Sequence, residues 1–147
     1  MYGEGQGVAA DPEIAREWLE KSAKNKNHEA LFTLGLIYHQ AMNVQQDYEL
    51  AADYFRRAFI EGKSESASFL AEYYYQGNGV GQSRINAMMW LMLATEYNST
   101  MPGGQLSQET LYRLDENKSF LTQELSPSEM GRAKERKDDF IKKNLES

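Results

Sequence analysis

Residues 73–94 read YYYQGNGVGQSRINAMMWLMLA, and residues 2–23 read YGEGQGVAADPEIAREWLEKSA. The two stretches register on each other from Tyr74 and Tyr2 onward, and a third copy falls midway between them, at a spacing of 36 residues. Tyr2, Tyr38 and Tyr74 align, as do Val8, Val44 and Val80. Ala15, Ala51 and Ala87 follow, then Trp18, Tyr54 and Trp90, then Leu19, Phe55 and Leu91. Ser22, Ala58 and Ala94 continue the series, and in the upstream half Leu34 matches Leu70, Gly35 matches Ala71 and Gln40 matches Gln76. A fixed period of this length is the mark of a repeat array, and it sets the fold before any single element is considered.

Each copy makes physical sense as two helices joined by a loop. The second half opens on Asp11, Asp47 or Ser83, residues whose side-chain oxygen can accept from an orphan N–H of the first helical turn. Pro12 follows the first of them, where its missing N–H costs nothing. Apolar and small residues then recur as adjacent pairs, 14/15, 18/19 and 22/23, and again 50/51, 54/55 and 58/59, which draws one stripe along a helix. In the first half Leu31, Leu34, Gly35 and Tyr38 do the same, and small residues at Gly35 and Ala71 allow a neighbouring helix to come close. The loops GEGQG and GNGVG supply left-handed turn geometry. They do not form a dinucleotide fingerprint, because a helix precedes them where that motif needs a strand. In the second copy HQAMNV replaces the glycine loop. Helix pairs of this kind cannot bury their apolar faces alone and stack into a solenoid.

With HEALFTLGLIY at residues 28–38 and the two stretches quoted above, the chain resembles Sel1-like repeats, relatives of the tetratricopeptide repeat. The resemblance covers residues 2 to about 97. It implies an all-α fold, an α/α superhelix of helix pairs, and a bacterial adaptor or scaffold that binds a protein or peptide without catalysis. It carries over no catalytic residues, and it leans towards the bacterial periplasm or cell envelope ahead of the cytoplasm. A structural or regulatory segment of a larger envelope protein is the alternative; a hydrolase using groove carboxylates such as Glu72 is a more remote one.

The expected organisation is a repeat array over 1–97 with its first repeat truncated, a linker over 98–106 containing NSTMPGGQ, and capping helices over 107–147. One capping helix starts at Ser107 with Leu106 and Leu111 as a hydrophobic staple and carries Leu114 and Leu121. The other starts at the capping box Ser126-Pro127-Ser128-Glu129, stapled by Leu125 and Met130, and runs through Ala133, Phe140, Ile141 and Leu145. Helix 84–97 adds Met88, Met89, Met92 and Leu93 to its repeat positions; a helix apolar on all sides needs cover on more than one, so the last two helices are expected to lie over it. Helix 12–24 is the reverse case. Without an upstream partner helix it leaves Ile14, Trp18 or Leu19 on an uncovered face, so a longer array or self-association through this helix is expected.

Composition narrows the function. The chain has 147 residues and no cysteine, which removes thiol chemistry and cysteine-based metal sites. Net charge is −6, and the basic residues are not clustered as a phosphate backbone requires, so nucleic acid is not expected as a partner. No apolar run approaches the ~20 residues of a membrane span, and the opening MYGEGQGV shows no secretory pattern. His28 and His39, the two histidines, lie eleven residues apart without ligand spacing, so no metal or cofactor is expected. Asn98-Ser-Thr100 and Asn117-Lys-Ser119 match the glycosylation pattern, which matters only in a secreted eukaryotic protein.

The candidate site is a stripe on the first helices of the pairs. On helix 63–76 the expected core positions are Ala67, Leu70, Ala71 and Tyr74; Phe69, Glu72, Tyr73 and Gln76 fall to one side of them at 100° per residue. The equivalent positions of the preceding copy are Thr33, Leu36, Ile37 and Gln40. First helices of stacked pairs line the concave face, and an aromatic stripe rimmed by Glu and Gln suits capture of a peptide. Additional packing between helices is the competing explanation for the same stripe.

Overall fold

A computed structural model describes residues 12–41, 46–96 and 106–145. Tyr2, Val8, the GEGQG loop, the Asp11 cap, Val44 and the NSTMPGGQ linker lie outside them. The described residues form helices only: α1 (Pro12–Lys24), α2 (His28–Gln40), α3 (Tyr48–Ile60), α4 (Ser66–Gln76), α5 (Arg84–Glu96), α6 (Gln108–Glu124) and α7 (Pro127–Phe140), the last running into a π-helical turn over Ile141–Leu145. Packing follows the pairs. The strongest contacts are α2 with α3 and α4 with α5; α1 lies against α2, α3 against α4, and both α6 and α7 against α5.

The period is visible in the hydrogen bonds as well as in the side chains. Asp47 Oδ1 accepts from Leu50 N at 3.0 Å, and Ser83 Oγ accepts from Asn86 N at 3.0 Å. The backbone N–H of the same two caps reaches back to the carbonyl of Tyr38 at 3.3 Å and of Tyr74 at 2.8 Å. Just ahead of each cap a glutamine closes the loop: Gln46 Nε2 donates to the His39 carbonyl, and Gln82 Nε2 to the Tyr75 carbonyl, both at 2.9 Å. All three pairs of bonds are related by the 36-residue spacing.

The loops begin alike too. Ala41 caps α2 in the left-handed region at φ 56°, and Gly77 caps α4 at φ 79°. The second copy therefore takes the glycine conformation at its first loop residue with an alanine in place. Gly79, at φ 71°, serves a further purpose: a Cβ there would run into the backbone at Tyr48 and Glu49, so the loop of one pair packs directly on the first turn of α3 in the pair before. Gly35 permits a different approach, since a Cβ on it would lie 2.6 Å from the Phe55 ring.

The core follows the repeat columns. Ala51 and Ala87, Phe55 and Leu91, Ala58 and Ala94, and Leu34 and Leu70 are all buried. Residues Ala87 to Ala94 of α5 are buried without a break, as expected of a helix covered on several sides. Trp90 is 2 % exposed between Phe59 of α3 and Phe140 of α7, with ring centroids 5.4 and 5.0 Å away. The two last helices thus lie over α5. Their starts are well capped: Ser107 Oγ accepts from Thr110 N, and Ser126 and Glu129 exchange both bonds of a capping box, at 3.1 and 2.9 Å. Arg84 to Glu124 and Lys137 to Glu96 tie α6 and α7 to the two ends of α5.

The aromatic column is not equally enclosed among the described residues. Trp18 on α1 is 66 % exposed, and Ile14 is exposed beside it, while Leu19 is half-buried. Lys21 Nζ lies 5.1 Å from the Trp18 ring centroid, and one period on Arg57 lies 5.4 Å from that of Tyr54, which also stacks on Tyr38. The third member, Trp90, has Leu93 in the cation's place and is enclosed in the interior.

One helix begins later than its sequence pattern suggests. Helix 63–76 starts at Ser66, because Gly62 and Lys63 donate to the carbonyls of Phe59 and Ala58 and so spend residues 63–65 in the turn that ends α3.

Candidate functional site

The best-formed concavity among the described residues is a groove of about 500 Å³ between α4, α5 and α6. Phe69, Glu72, Tyr75 and Gln76 of α4 form one wall, and Arg113, Asn117 and Phe120 of α6 form the other. Ala87 and Leu91 of α5 supply the floor. Helix α5 runs antiparallel to both walls, as the Arg84–Glu124 pair fixes for α6, so α4 and α6 run in the same direction. The groove therefore has two distinct ends. Glu65 and Arg113 stand at the start of the walls; Tyr75 and Phe120 stand at the finish, edge to face with centroids 6.5 Å apart.

Three of the expected site residues line this groove: Phe69, Glu72 and Gln76. Phe69 is half-buried because its ring stacks on Phe55 at 4.6 Å, so only part of it faces outward. Glu72 and Gln76 are exposed. Tyr73 is not on the groove. It is 1 % exposed and sits beneath His39, whose Nδ1 lies 2.6 Å from the Tyr73 hydroxyl. Of the expected core positions of α4, Ala67, Leu70 and Ala71 are buried and Tyr74 is half-buried; the buried face extends beyond them to Ser66 and Tyr73. Tyr73 fits there because His39, Tyr48 and Phe55 already form an aromatic wall around it. Burial, reinforced by the fields of Tyr48 and Glu72, pushes its phenol well above the usual range.

The four residues expected on α2 are not part of the groove. Thr33 is half-buried, Leu36 and Ile37 pack against the core, and Gln40 is exposed beyond the helix's buried face. His39 pairs with Tyr73 through its ring and leaves its own carbonyl to Gln46.

Sequence reasoning missed the α6 wall. Phe120 lies off the Leu111, Leu114, Leu121 stripe, and a large apolar residue off the core stripe is the signal that would have found it. Phe120 is half-exposed and Tyr112, further up the same helix, is more so. A hydrogen bond with the Glu116 carboxylate raises the Tyr112 phenol above its usual range. The glutamine stitches were missed as well, although Gln46 and Gln82 agree at the repeat spacing.

Stacked helix pairs, repeated caps and stitches, and two further helices laid over α5 define an α/α solenoid. The family model of the Sel1 repeat matches residues 1–27, 28–62 and 64–96, and the chain belongs to the Sel1 repeat family. Proteins of this family commonly act as helical scaffolds for protein interactions and are generally non-catalytic. Among solved structures the chain is similar to a protective antigen present in uropathogenic Escherichia coli strains that displays an SLR fold, at 27 % identity and a TM-score of 0.71. That match covers 88 % of this chain and 26 % of the antigen, so the chain spans about a quarter of its length. It is also similar to a Sel1 repeat protein from Oxalobacter formigenes, at 25 % identity and a TM-score of 0.63, covering 78 % of this chain and 80 % of that one. No curated protein matches the sequence. Among the described residues, no helix is long and apolar enough to cross a membrane.

Proposed function

We propose that this chain is a scaffold that holds a peptide segment of a protein partner in the groove between α4, α5 and α6. The observation that carries this is the pairing of Tyr75 with Phe120 across the mouth of a groove whose floor is apolar. A half-buried Tyr75 beside an exposed Phe120, over an apolar floor, offers aromatic contact area at low entropic cost, which is how hot spots work. Phe69, Glu72 and Gln76 complete the wall; the α2 residues Thr33, Leu36, Ile37 and Gln40 would serve only a partner long enough to continue along the array.

The test is capture by the immobilised full chain and by its Phe120→Ser and Glu72→Ala variants. Partners held by the parent protein and lost by Phe120→Ser, at an unchanged melting temperature, support the groove. Equal capture by both variants rejects it.

Self-association is a second reading, favoured by the exposed Trp18 on α1. A dimer in sedimentation that dissociates on Trp18→Glu supports it, and a monomeric parent protein at micromolar concentration rejects it.

A further inference from the structure

We infer that the segment held in this groove is basic and aromatic: at least one Lys or Arg a turn or so away from an aromatic or large aliphatic side chain. The inference rests on the groove reading and adds the chemistry and orientation of the occupant.

The walls set both requirements. At one end the Tyr75–Phe120 pair, with Leu121 also lining the groove, offers an apolar surface against which a ring or a branched aliphatic chain can pack. Along the α4 wall stand two carboxylates, Glu65 and Glu72, a little under two helical turns apart. Neither forms an ion pair with another described residue. This distinguishes them from Glu29, Glu96 and Glu124, which are engaged by Lys63, Lys137 and Arg84. Against these two acids the opposite wall sets a single cation, Arg113, towards the start of α6. Three residues back from the Tyr75–Phe120 contact on each of the two parallel helices stand Glu72 and Asn117, so the α6 residue at the level of Glu72 is a neutral donor and acceptor. The middle of the groove therefore carries uncompensated negative charge next to an apolar aromatic surface, within a chain of net charge −6. A cation placed over Glu72 gains a partner without displacing one. An acid placed there meets like charge and an overall repulsive field, which slows its approach.

The order of the two features gives orientation. An aromatic side chain packed against the Tyr75–Phe120 pair puts a neighbouring Lys or Arg one turn back along α4, at Glu72. A longer ligand then passes between Glu65 and Arg113, where either sign of charge finds a partner.

A phage library of random 12-residue peptides, panned on the immobilised full chain and counter-selected on Phe120→Ser, tests this. The expected pool is enriched in Lys and Arg, with an aromatic or Leu three or four positions away. Its peptides should weaken about three- to fivefold on Glu72→Gln, the range of one exposed charge pair, and further on Glu72→Lys. A Phe120-dependent pool that is neutral or acidic, or is indifferent to Glu72→Lys, overturns the inference and leaves the groove reading standing. A library that yields no Phe120-dependent pool overturns both. Circular dichroism melts of the variants confirm that all three are folded, which the exposure of Glu72 and Phe120 leads one to expect.

Discussion

His39 Nδ1 and the Tyr73 hydroxyl meet at 2.6 Å, joining the last turn of α2 to the last turns of α4. The bond sits among the rings of Tyr48, Phe55 and Phe69, so the first helices of successive pairs are connected by polar and aromatic contact at once. Phe69→Ser and Tyr73→Ser, equivalent substitutions as far as the sequence shows, should therefore part company. Tyr73→Ser should cost about 3–5 kcal/mol of unfolding free energy as a buried aromatic truncation. Tyr73→Phe, which removes only the hydrogen bond, should cost about 1 kcal/mol. Urea denaturation of both variants measures the difference; a Tyr73→Ser protein as stable as its parent would show that the phenol is not enclosed.

Alkaline pH should act through the same residue. Burial raises the folded-state acidity constant of Tyr73 above the ordinary 10.0. The protonated phenol is thus favoured by the fold, its contribution is complete below pH 10, and it is lost as pH climbs beyond the unfolded value. Tyr54, raised by burial and by Glu20, adds in the same direction. Urea midpoints followed upward from about pH 9 should fall less steeply in Tyr73→Phe than in the parent chain.

The left-handed caps give a pair of opposite outcomes. Ala41→Gly should stabilise by about 0.5–1 kcal/mol, because an L-residue at φ 56° bears a steric penalty that glycine does not. Gly79→Ala should destabilise by about 2 kcal/mol or more, since it meets both an unfavourable φ and the backbone at Glu49. Thermal melts of the two single variants check the signs.

Removing the cover from α5 should be visible in fluorescence. In a Trp18→Phe background Trp90 is the sole indole, and Phe140→Ala takes away one of its two ring neighbours. The expected result is a red shift of emission and a loss of about 2–3 kcal/mol. Unchanged emission would mean that α7 does not shield the ring.

The fold was legible because its signals are local and repeated. Asp47 and Ser83, Ala51 and Ala87, and the capping box at Ser126 each say the same thing wherever they occur, so errors in one copy are corrected by the next. The site was legible only on the α4 wall. Periodicity places Phe69, Glu72 and Gln76 on one side of the helix, but it cannot tell whether Tyr73, a single step round, is drawn inward by a histidine 34 residues away. The α6 wall lies outside the repeat, so no column points to Arg113, Asn117 or Phe120. Their position depends on how the cap settles on α5, which Trp90 and Phe140 decide through tertiary packing.

The glutamine stitches of Gln46 and Gln82 grip the loop at its two ends, on the last turn of one helix and just before the cap of the next. Between those anchor points the two copies differ, AMNVQ in one and GNGVG in the other. Closure is thus anchored at the two ends, and in the later loop the room left for drift, or for an engineer's graft, excludes Gly79, whose packing on α3 admits no side chain.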